Sequence, residues 1–191
     1  MKNISFLWLF MTMCTIVYGQ KFGGAQLSYG FATTTFGFEK NLKEKHFGTV
    51  ISVEGRLASK FYYLSLGFTY HKLRVSPEII DKNLKPFENK EDIHVIKVPV
   101  SIGYMPFNRN WGRFRIYAGV GVNIVTNVDE NSIPVALSQF ENSTMFYHFG
   151  AGFDIKFISI DYVFENSFSN FVNNVEKSKS QTQMLKLGVF F

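Results

Sequence analysis

Apolar and polar residues alternate along most of this chain, and the last nine residues show the pattern most clearly. In residues 183–191, one row is Leu185, Leu187, Val189 and Phe191, and the other is Met184, Lys186, Gly188 and Phe190. A period of two indicates a β-strand with one row of side chains on each face. One row is wholly apolar and the other is mixed, as in a strand that separates lipid from a crowded, partly polar interior.

Seven more segments follow the same rule. The eight predicted strands are about 22–31, 47–57, 62–71, 96–104, 114–124, 145–156, 158–165 and 183–191. The connections between them are alternately long and short, which places all the long loops at one end of the fold. We therefore predict an all-β fold, an eight-stranded antiparallel up-and-down transmembrane barrel.

Two kinds of eight-stranded barrel fit such alternation, and the composition of the second row separates them. A soluble barrel of the lipocalin type would turn its apolar row inward. The other row would then face water, although it contains Gly67, Gly119, Gly121, Gly150 and Gly152. Small residues suit the inside of a narrow barrel, where they make room for larger neighbours. We therefore expect the apolar rows to face lipid.

Large aromatic residues at both ends of the apolar rows support this orientation, because aromatic girdles mark the two membrane interfaces. The predicted girdle near the long loops is Phe31, Phe47, Tyr70, Tyr147 and Phe164, and the predicted girdle near the short turns is Tyr62, Tyr104, Phe114, Phe153 and Phe191.

The first 19 residues have the pattern of a secretory signal. Lys2 precedes an apolar run over residues 4–17, and small residues surround a cleavage point before Gln20. The alternative, a membrane helix, would need a longer run and a stop-transfer charge. We predict a signal peptide at 1–19, a barrel domain at 20–191 and export to the outer membrane. Cys14, the single cysteine, lies in the signal, so the mature chain could have no disulfide.

The net charge gives no indication of a nucleic-acid partner. The formal charge is +5, and removal of Lys2 lowers it by one. The remaining excess is spread through loops and turns instead of forming a basic patch, so no nucleic acid is expected as a partner.

The mature chain resembles the small outer-membrane barrels of Gram-negative bacteria known as the porin family or PorT type. The resemblance is carried by Val98-Pro99-Val100, by residues 117–121 (YAGVG), by residues 149–152 (FGAG) and by the final aromatic. It implies a barrel fold, outer-membrane lipid as surroundings and a link to protein secretion. It also implies that Phe191 is the assembly signal read by the barrel-assembly machinery through the C-terminal strand.

The predicted inner rows carry a set of charged residues. Buried charges persist when they are paired and hydrogen-bonded, so we expect a lumen network in which Lys97 and Lys186 each pair with a carboxylate. An alternative interpretation is a narrow solute or ion channel lined by charge, but eight strands leave room for little more than side chains. The predicted network comprises Glu54, Arg56, Lys97, Arg115, Asp154, Asp161, Glu165 and Lys186, and the alternation places Lys156 in the same row.

The four histidines raise the possibility of a lipid-modifying enzyme at the rim. His71, His94 and His148 lie towards the predicted loop ends, and Glu141 and Ser143 are close to His148 in sequence. Catalysis would need a nucleophile, a base and an orienting group within hydrogen-bond reach. No spacing matches a hydrolase motif or a compact metal site. We therefore expect no enzyme activity, metal or cofactor.

The second long loop, residues 74–92, is the predicted surface for a protein partner. It mixes charges with Ile79, Ile80, Leu84 and Phe87, although a mobile solvated loop would have a similar composition.

Pro99 is a local anomaly in the fourth predicted strand, because proline cannot donate to the sheet ladder. It predicts a bulge or a lost hydrogen bond.

The predicted role of the protein is a non-enzymatic structural, accessory or interaction function performed by the loops.

Overall fold

The computed structural model describes residues 23–37, 45–75, 91–109, 111–128, 143–168 and 179–191. The predicted signal at 1–19 and most of the second loop lie outside these ranges. Within them, no helix is long and apolar enough to cross a membrane. The eight strands are β1 (Gly24–Gly37), β2 (Lys45–Ala58), β3 (Tyr62–Val75), β4 (Glu91–Arg109), β5 (Gly112–Val128), β6 (Ser143–Ile155), β7 (Ile158–Ser167) and β8 (Lys179–Phe190).

The strands form one closed barrel in which each strand pairs antiparallel with its neighbours in the chain. Closure comes from β1 and β8, whose register runs from Gln26 opposite Phe190 to Gly37 opposite Lys179. A closed sheet leaves no unpaired edge, which a bilayer requires. The predicted all-β, eight-stranded antiparallel barrel is confirmed.

The two ends of the barrel differ in the length of their connections. The turn end contains the short connections β2–β3, β4–β5 and β6–β7. The loop end contains the four longer ones, which are mostly outside the described residues. This arrangement agrees with the alternation of long and short connections predicted from the sequence.

Several strands are longer than the sequence predicts. β1 continues to Gly37 instead of ending near Phe31, and β4 spans 19 residues from Glu91 to Arg109. The extra residues include polar ones such as Thr33 and Thr35, which pair with Gln183 and Gln181 of β8. The apolar pattern marks the part of a strand that faces lipid, whereas ladder pairing with a neighbour extends the strand beyond it.

Pro99 interrupts its ladder without shifting the register. Pairing between β3 and β4 is continuous up to Leu66 opposite Val100 and resumes at Thr69 opposite Lys97. The pairs in between, which would include Pro99, are lost, as expected for a residue without an N–H. The register shifts in β4 lie elsewhere, between His94 and Val95 and between Tyr104 and Phe107.

The outer surface of the barrel is apolar and its interior is polar, the reverse of a soluble protein. Residues of the outward rows such as Phe47, Ile102 and Leu187 are 60–71% exposed. Buried polar and charged side chains outnumber buried apolar ones in the described ranges. An apolar belt of this extent would be exceptional in water, and it matches the outward face of a membrane barrel. All ten predicted girdle residues lie in the outward rows.

Candidate functional site

The main polar cluster of the lumen surrounds Arg115 on β5. Its Nη2 donates to Asp154 Oδ1 at 2.8 Å, to Asp161 Oδ1 at 2.9 Å and to Ser159 Oγ at 2.9 Å. The Arg115 side chain is almost wholly buried, at 1% exposure. Two carboxylates thus share one guanidinium in the half of the lumen nearer the turn end.

A second guanidinium, from Arg56 on β2, completes the cluster. Its Nε donates to Glu54 Oε1 at 2.7 Å and its Nη1 lies 3.4 Å from Asp154 Oδ2. Arg56 Nη2 donates to the Gln26 side-chain oxygen, and Gln26 Nε2 in turn donates to Asp161 Oδ2 at 2.8 Å. Side chains from β1, β2, β5, β6 and β7 therefore meet in one network that ties the barrel together across its lumen.

Glycines allow these side chains to meet. Gly152 of β6 lies in register between Arg115 of β5 and Asp161 of β7. A Cβ at Gly152 would collide with the carboxylate of Asp161 and come within 2.5 Å of Arg115 Nη2. Two side chains from strands that are not neighbours can pair because the strand between them has no side chain at that point.

The same arrangement recurs at Gly119 of β5, which lies in register between Ser101 of β4 and His148 of β6. Ser101 Oγ and His148 Nε2 are 2.7 Å apart and form a buried hydrogen bond that crosses over Gly119. The glycines of the inner rows thus determine which side chains in the lumen can reach each other.

Lys97 of β4 forms an ion pair in the other half of the lumen. Its Nζ donates to Glu165 Oε2 of β7, and both side chains are at most 8% exposed. Lys97 Nζ also lies 5.7 Å from the ring centre of Phe146, a bulky inward residue. The expected pairing of Lys97 with an inner carboxylate agrees with this geometry.

The expected partner of Lys186 is not within ion-pair distance. Lys186 of β8 faces inward opposite Asp161, but Asp161 directs its carboxylate towards Arg115 and Gln26. In the described part of the chain, Lys186 forms no close ion pair, and the prediction of a direct pair is wrong for it. The two arginines, with several donors each in a planar fork, hold the carboxylates more effectively than one ammonium does.

Lys156 is also placed differently from the prediction. It lies in the short turn between β6 and β7, exposed, with a φ of 53°. Tight two-residue hairpins commonly use a positive φ, which is more often taken by Gly or Asn. Lys156 therefore belongs to the rim of the turn end and not to the inner row.

The lumen contains charges of both signs, and a small cavity lies beside Lys97. A cavity among Thr34, His71, Lys97, Asn123 and Thr182 has a volume of about 10 Å³, enough for about one water molecule. The aromatic side chains of Tyr63 and Phe146 are buried in the lumen, and Tyr117 packs against its buried apolar residues. Among the described inward residues, the four carboxylates Glu54, Asp154, Asp161 and Glu165 equal in number the cations Arg56, Lys97, Arg115 and Lys186. Arg113, which is half-buried beside Phe190 near the turn end, adds a further positive charge to the inward row of β5.

The pair Ser101–His148 resembles a nucleophile with a base, but its position does not suit catalysis. Ser101 is on an inner wall of the lumen and not in a loop, and both side chains are at most 6% exposed. Within the described ranges, His148 Nδ1 has no hydrogen-bond partner to orient the ring. Glu165 lies opposite His148 in register, but its carboxylate binds Lys97.

The other histidines are dispersed around the loop half of the barrel. His46 and His71 are buried in the lumen, whereas His94 is on the outer face, where its Nδ1 is hydrogen-bonded to the hydroxyl of Tyr70. Across the ranges covered by the structure, no three His, Cys, Asp or Glu side chains are grouped so that they could hold a metal ion.

Phe191 follows β8 directly and points outward with 59% exposure. Its backbone is fixed to the first strand, because Ala25 N donates to Phe191 O at 2.7 Å and Phe191 N donates to Ala25 O at 2.9 Å.

In the predicted partner loop at 74–92, only the two ends lie in the described ranges. There Asp92 binds Arg74 at 3.0 Å and Lys72 at 2.8 Å.

Sequence reasoning missed the uncharged members of the network. Ser159 bridges the carboxylates of Asp154 and Asp161, and Gln26 links Arg56 to Asp161. Tyr63 and Tyr117 lie against Arg115, with its Cζ 6.0 Å from each ring centre. The position of these residues in the inner rows was visible in the sequence. Their partners were not, because a partner depends on the register between strands.

No family model matches the chain, and no curated protein matches it at a significant level. Solved structures do resemble it. The attachment invasion locus protein Ail of Yersinia pestis, solved with the heparin analogue sucrose octasulfate, is 14% identical with a TM-score of 0.52, and the match covers 88% of this chain and 99% of Ail.

Two further structures are similar to the same extent. The outer membrane enzyme PagL is 12% identical with a TM-score of 0.58, over 86% of this chain and 98% of PagL. Neisserial surface protein A is 14% identical with a TM-score of 0.54, over 87% of this chain and 97% of that protein. At these identities the comparisons show a shared fold, that of small outer-membrane barrels, and the neighbours include both an enzyme and a surface protein.

Proposed function

We propose that the protein is an integral outer-membrane barrel with a filled lumen, which acts without catalysis through the loops of its loop end. The observation that carries the proposal is the reversal of faces, with an apolar exterior around an interior of polar and charged side chains. Only a bilayer satisfies such an exterior. The long connections would then face the cell exterior and the short turns the periplasm, as is usual for outer-membrane barrels.

The filled lumen favours a role for the loops over transport. Arg56, Arg115 and their carboxylate partners cross the interior, and a solute would have to break these pairs in order to pass. The second loop, residues 74–92, is the proposed binding surface for a protein partner, and the resemblance to PorT-type barrels makes accessory work in protein secretion one form of that role. Phe191, at the seam between the first and last strands, is the residue we assign to recognition by the barrel-assembly machinery.

Single-channel recording in planar bilayers tests the filled lumen. We expect the purified protein to give no steady conductance, because ions would have to pass the buried ion pairs and aromatic side chains of the lumen. Insertion should be verified in the same samples by the change of gel mobility on boiling, and a known porin should serve as the conducting control. A steady conductance from inserted protein would contradict the proposal and would favour a narrow channel.

A further inference from the structure

The turn end of the barrel carries three exposed cations for which the described residues provide no ion-pair partner. Each of the three short connections places a basic residue close to an exposed aromatic one: Lys60 beside Phe61, Arg109 near Trp111, and Lys156 beside Phe157. All three cations are exposed. The segments 58–62, 105–112 and 155–158 contain no Asp or Glu.

Backbone and side-chain bonds hold these turns in place. Asn108 Nδ2 donates to the carbonyl of Lys60 at 2.9 Å, which joins the β2–β3 turn to β4. Phe190 N donates to the carbonyl of Phe157 at 2.7 Å, which joins the β6–β7 turn to β8. The cations are therefore presented by a fixed rim directly below the apolar belt, and such short connections project little beyond it.

The loop end is different, although it also has outward basic residues. There Asp92 binds both Lys72 and Arg74, at 2.8 and 3.0 Å, so part of the positive charge is neutralised within the protein. In the described part of the three turns, no carboxylate neutralises a basic side chain in the way that Asp92 does at the loop end. The positive charge of the turn end is thus left available to a partner outside the chain.

We propose that the rim formed by Lys60, Arg109 and Lys156 binds the phosphates of anionic phospholipids, such as phosphatidylglycerol, in the leaflet at the turn end. The inference rests on the proposed membrane location. Aromatic rings at an interface lie at the level of the lipid headgroups, and basic side chains next to them extend towards the phosphates. Anionic headgroups attract such basic segments.

A lipid suits this rim better than an acidic protein or polymer does. Phe61, Trp111 and Phe157 are 42–59% exposed next to the cations, and these apolar rings need acyl chains or headgroup carbons around them. The basic residues lie in three turns around the circumference of the barrel, and the hydrogen bond from Asn108 to Lys60 brings the first two of these turns together. Individual lipids can occupy separate positions of this kind, whereas a single folded partner would need one continuous surface.

Trp111 provides an intrinsic fluorescent probe at this rim. The two tryptophans of the chain are Trp8, in the predicted signal, and Trp111, so mature protein purified from outer membranes would have Trp111 alone. Reconstituted in phosphatidylcholine vesicles with increasing brominated phosphatidylglycerol or brominated phosphatidylcholine, the protein reports the lipid next to Trp111 by quenching. We expect at least a roughly threefold preference for the anionic lipid, reduced at high salt.

The variant Lys60→Gln, Arg109→Gln, Lys156→Gln should remove the preference. A matched variant with the same change of charge at the loop end, Lys45→Gln, Arg74→Gln, Lys179→Gln, should retain it. Equal quenching by both lipids in the wild type, or equal loss in both variants, would overturn the inference. So would the absence of a lipid preference combined with a response of Trp111 to soluble peptidoglycan.

Failure of this inference can be told from failure of the proposed function. If boiling still changes the gel mobility of the reconstituted protein, the barrel is inserted, and equal quenching then rejects only the lipid site. If neither brominated lipid quenches Trp111 and boiling changes nothing, the protein is not in the bilayer and the membrane location itself is wrong.

Discussion

Replacing Arg115 by methionine should destabilise the barrel by about 3–5 kcal/mol. The change removes the guanidinium that Asp154 and Asp161 share, and it leaves two buried carboxylates supported mainly by Arg56 at 3.4 and 3.8 Å. Methionine keeps a similar length, so the loss would come from charge and hydrogen bonding more than from volume. Reversible guanidinium unfolding in lipid vesicles would measure the free energy of unfolding.

Lys186→Met provides the matched control, because Lys186 is also a buried inward cation. Within the described residues it has no close ion pair, so its removal should cost no more than about 1 kcal/mol. The double variant Arg115→Met, Asp161→Asn should recover part of the loss, since it removes one uncompensated charge. Equal costs for Arg115→Met and Lys186→Met would show that the observed pairing does not govern stability.

Replacing Gly119 by valine should cost at least about 3 kcal/mol and reduce the yield of folded barrel. A Cβ at Gly119 would overlap the carbonyl oxygen of Val100, and it would lie 2.7 Å from His148 Cε1 and 2.9 Å from Ser101 Cα. Two of these are backbone atoms of β4, so relief would require the β4–β5 ladder to open. The hydrogen bond between Ser101 and His148 would also be lost.

Gly55→Val is the control for this prediction. Gly55 is also in a strand, but it faces outward, and the nearest atom to a Cβ there is the Leu66 carbonyl oxygen at 4.0 Å. Valine should be accommodated in the lipid-facing surface with little change in stability. The fraction of each variant that resists unfolding in detergent until boiled would compare the two. A Gly119 variant that folds as well as the Gly55 variant would contradict the assignment of Gly119 to a crowded inner wall.

Much of the fold follows from the sequence because alternation is a direct consequence of strand geometry. In β8, Leu185 and Leu187 are outward while Met184 and Lys186 are inward, as the period of two predicts. The outward direction of the apolar rows could also be inferred, since a glycine-rich row such as the one with Gly119 and Gly121 makes a poor outer surface. The ends of the strands could not be inferred from the sequence. Thr33 and Thr35, for example, do not continue the apolar pattern, and they belong to β1 because they pair with β8.

The interior was only partly predictable. The inward direction of Glu54, Arg115 and Asp161 follows from alternation within each strand, but their pairing depends on which residues lie level across several strands. Lys186 shows the difference, because it is directly opposite Asp161 in register and still loses that carboxylate to Arg115. Register is set by the whole sheet, and a shift of one residue in a single strand would have produced another set of pairs.

Membrane fractionation with gel analysis before and after boiling tests the central claim most directly, which is that the apolar rows face lipid around a filled polar lumen. The account predicts that the chain is in the outer-membrane fraction and that its unboiled form migrates differently from its boiled form. A chain in the soluble fraction with the same mobility before and after boiling would contradict it. In that case the exposed apolar side chains of Phe47, Ile102 and Leu187 would face water, which is unfavourable. The apolar rows would then have to point into the barrel.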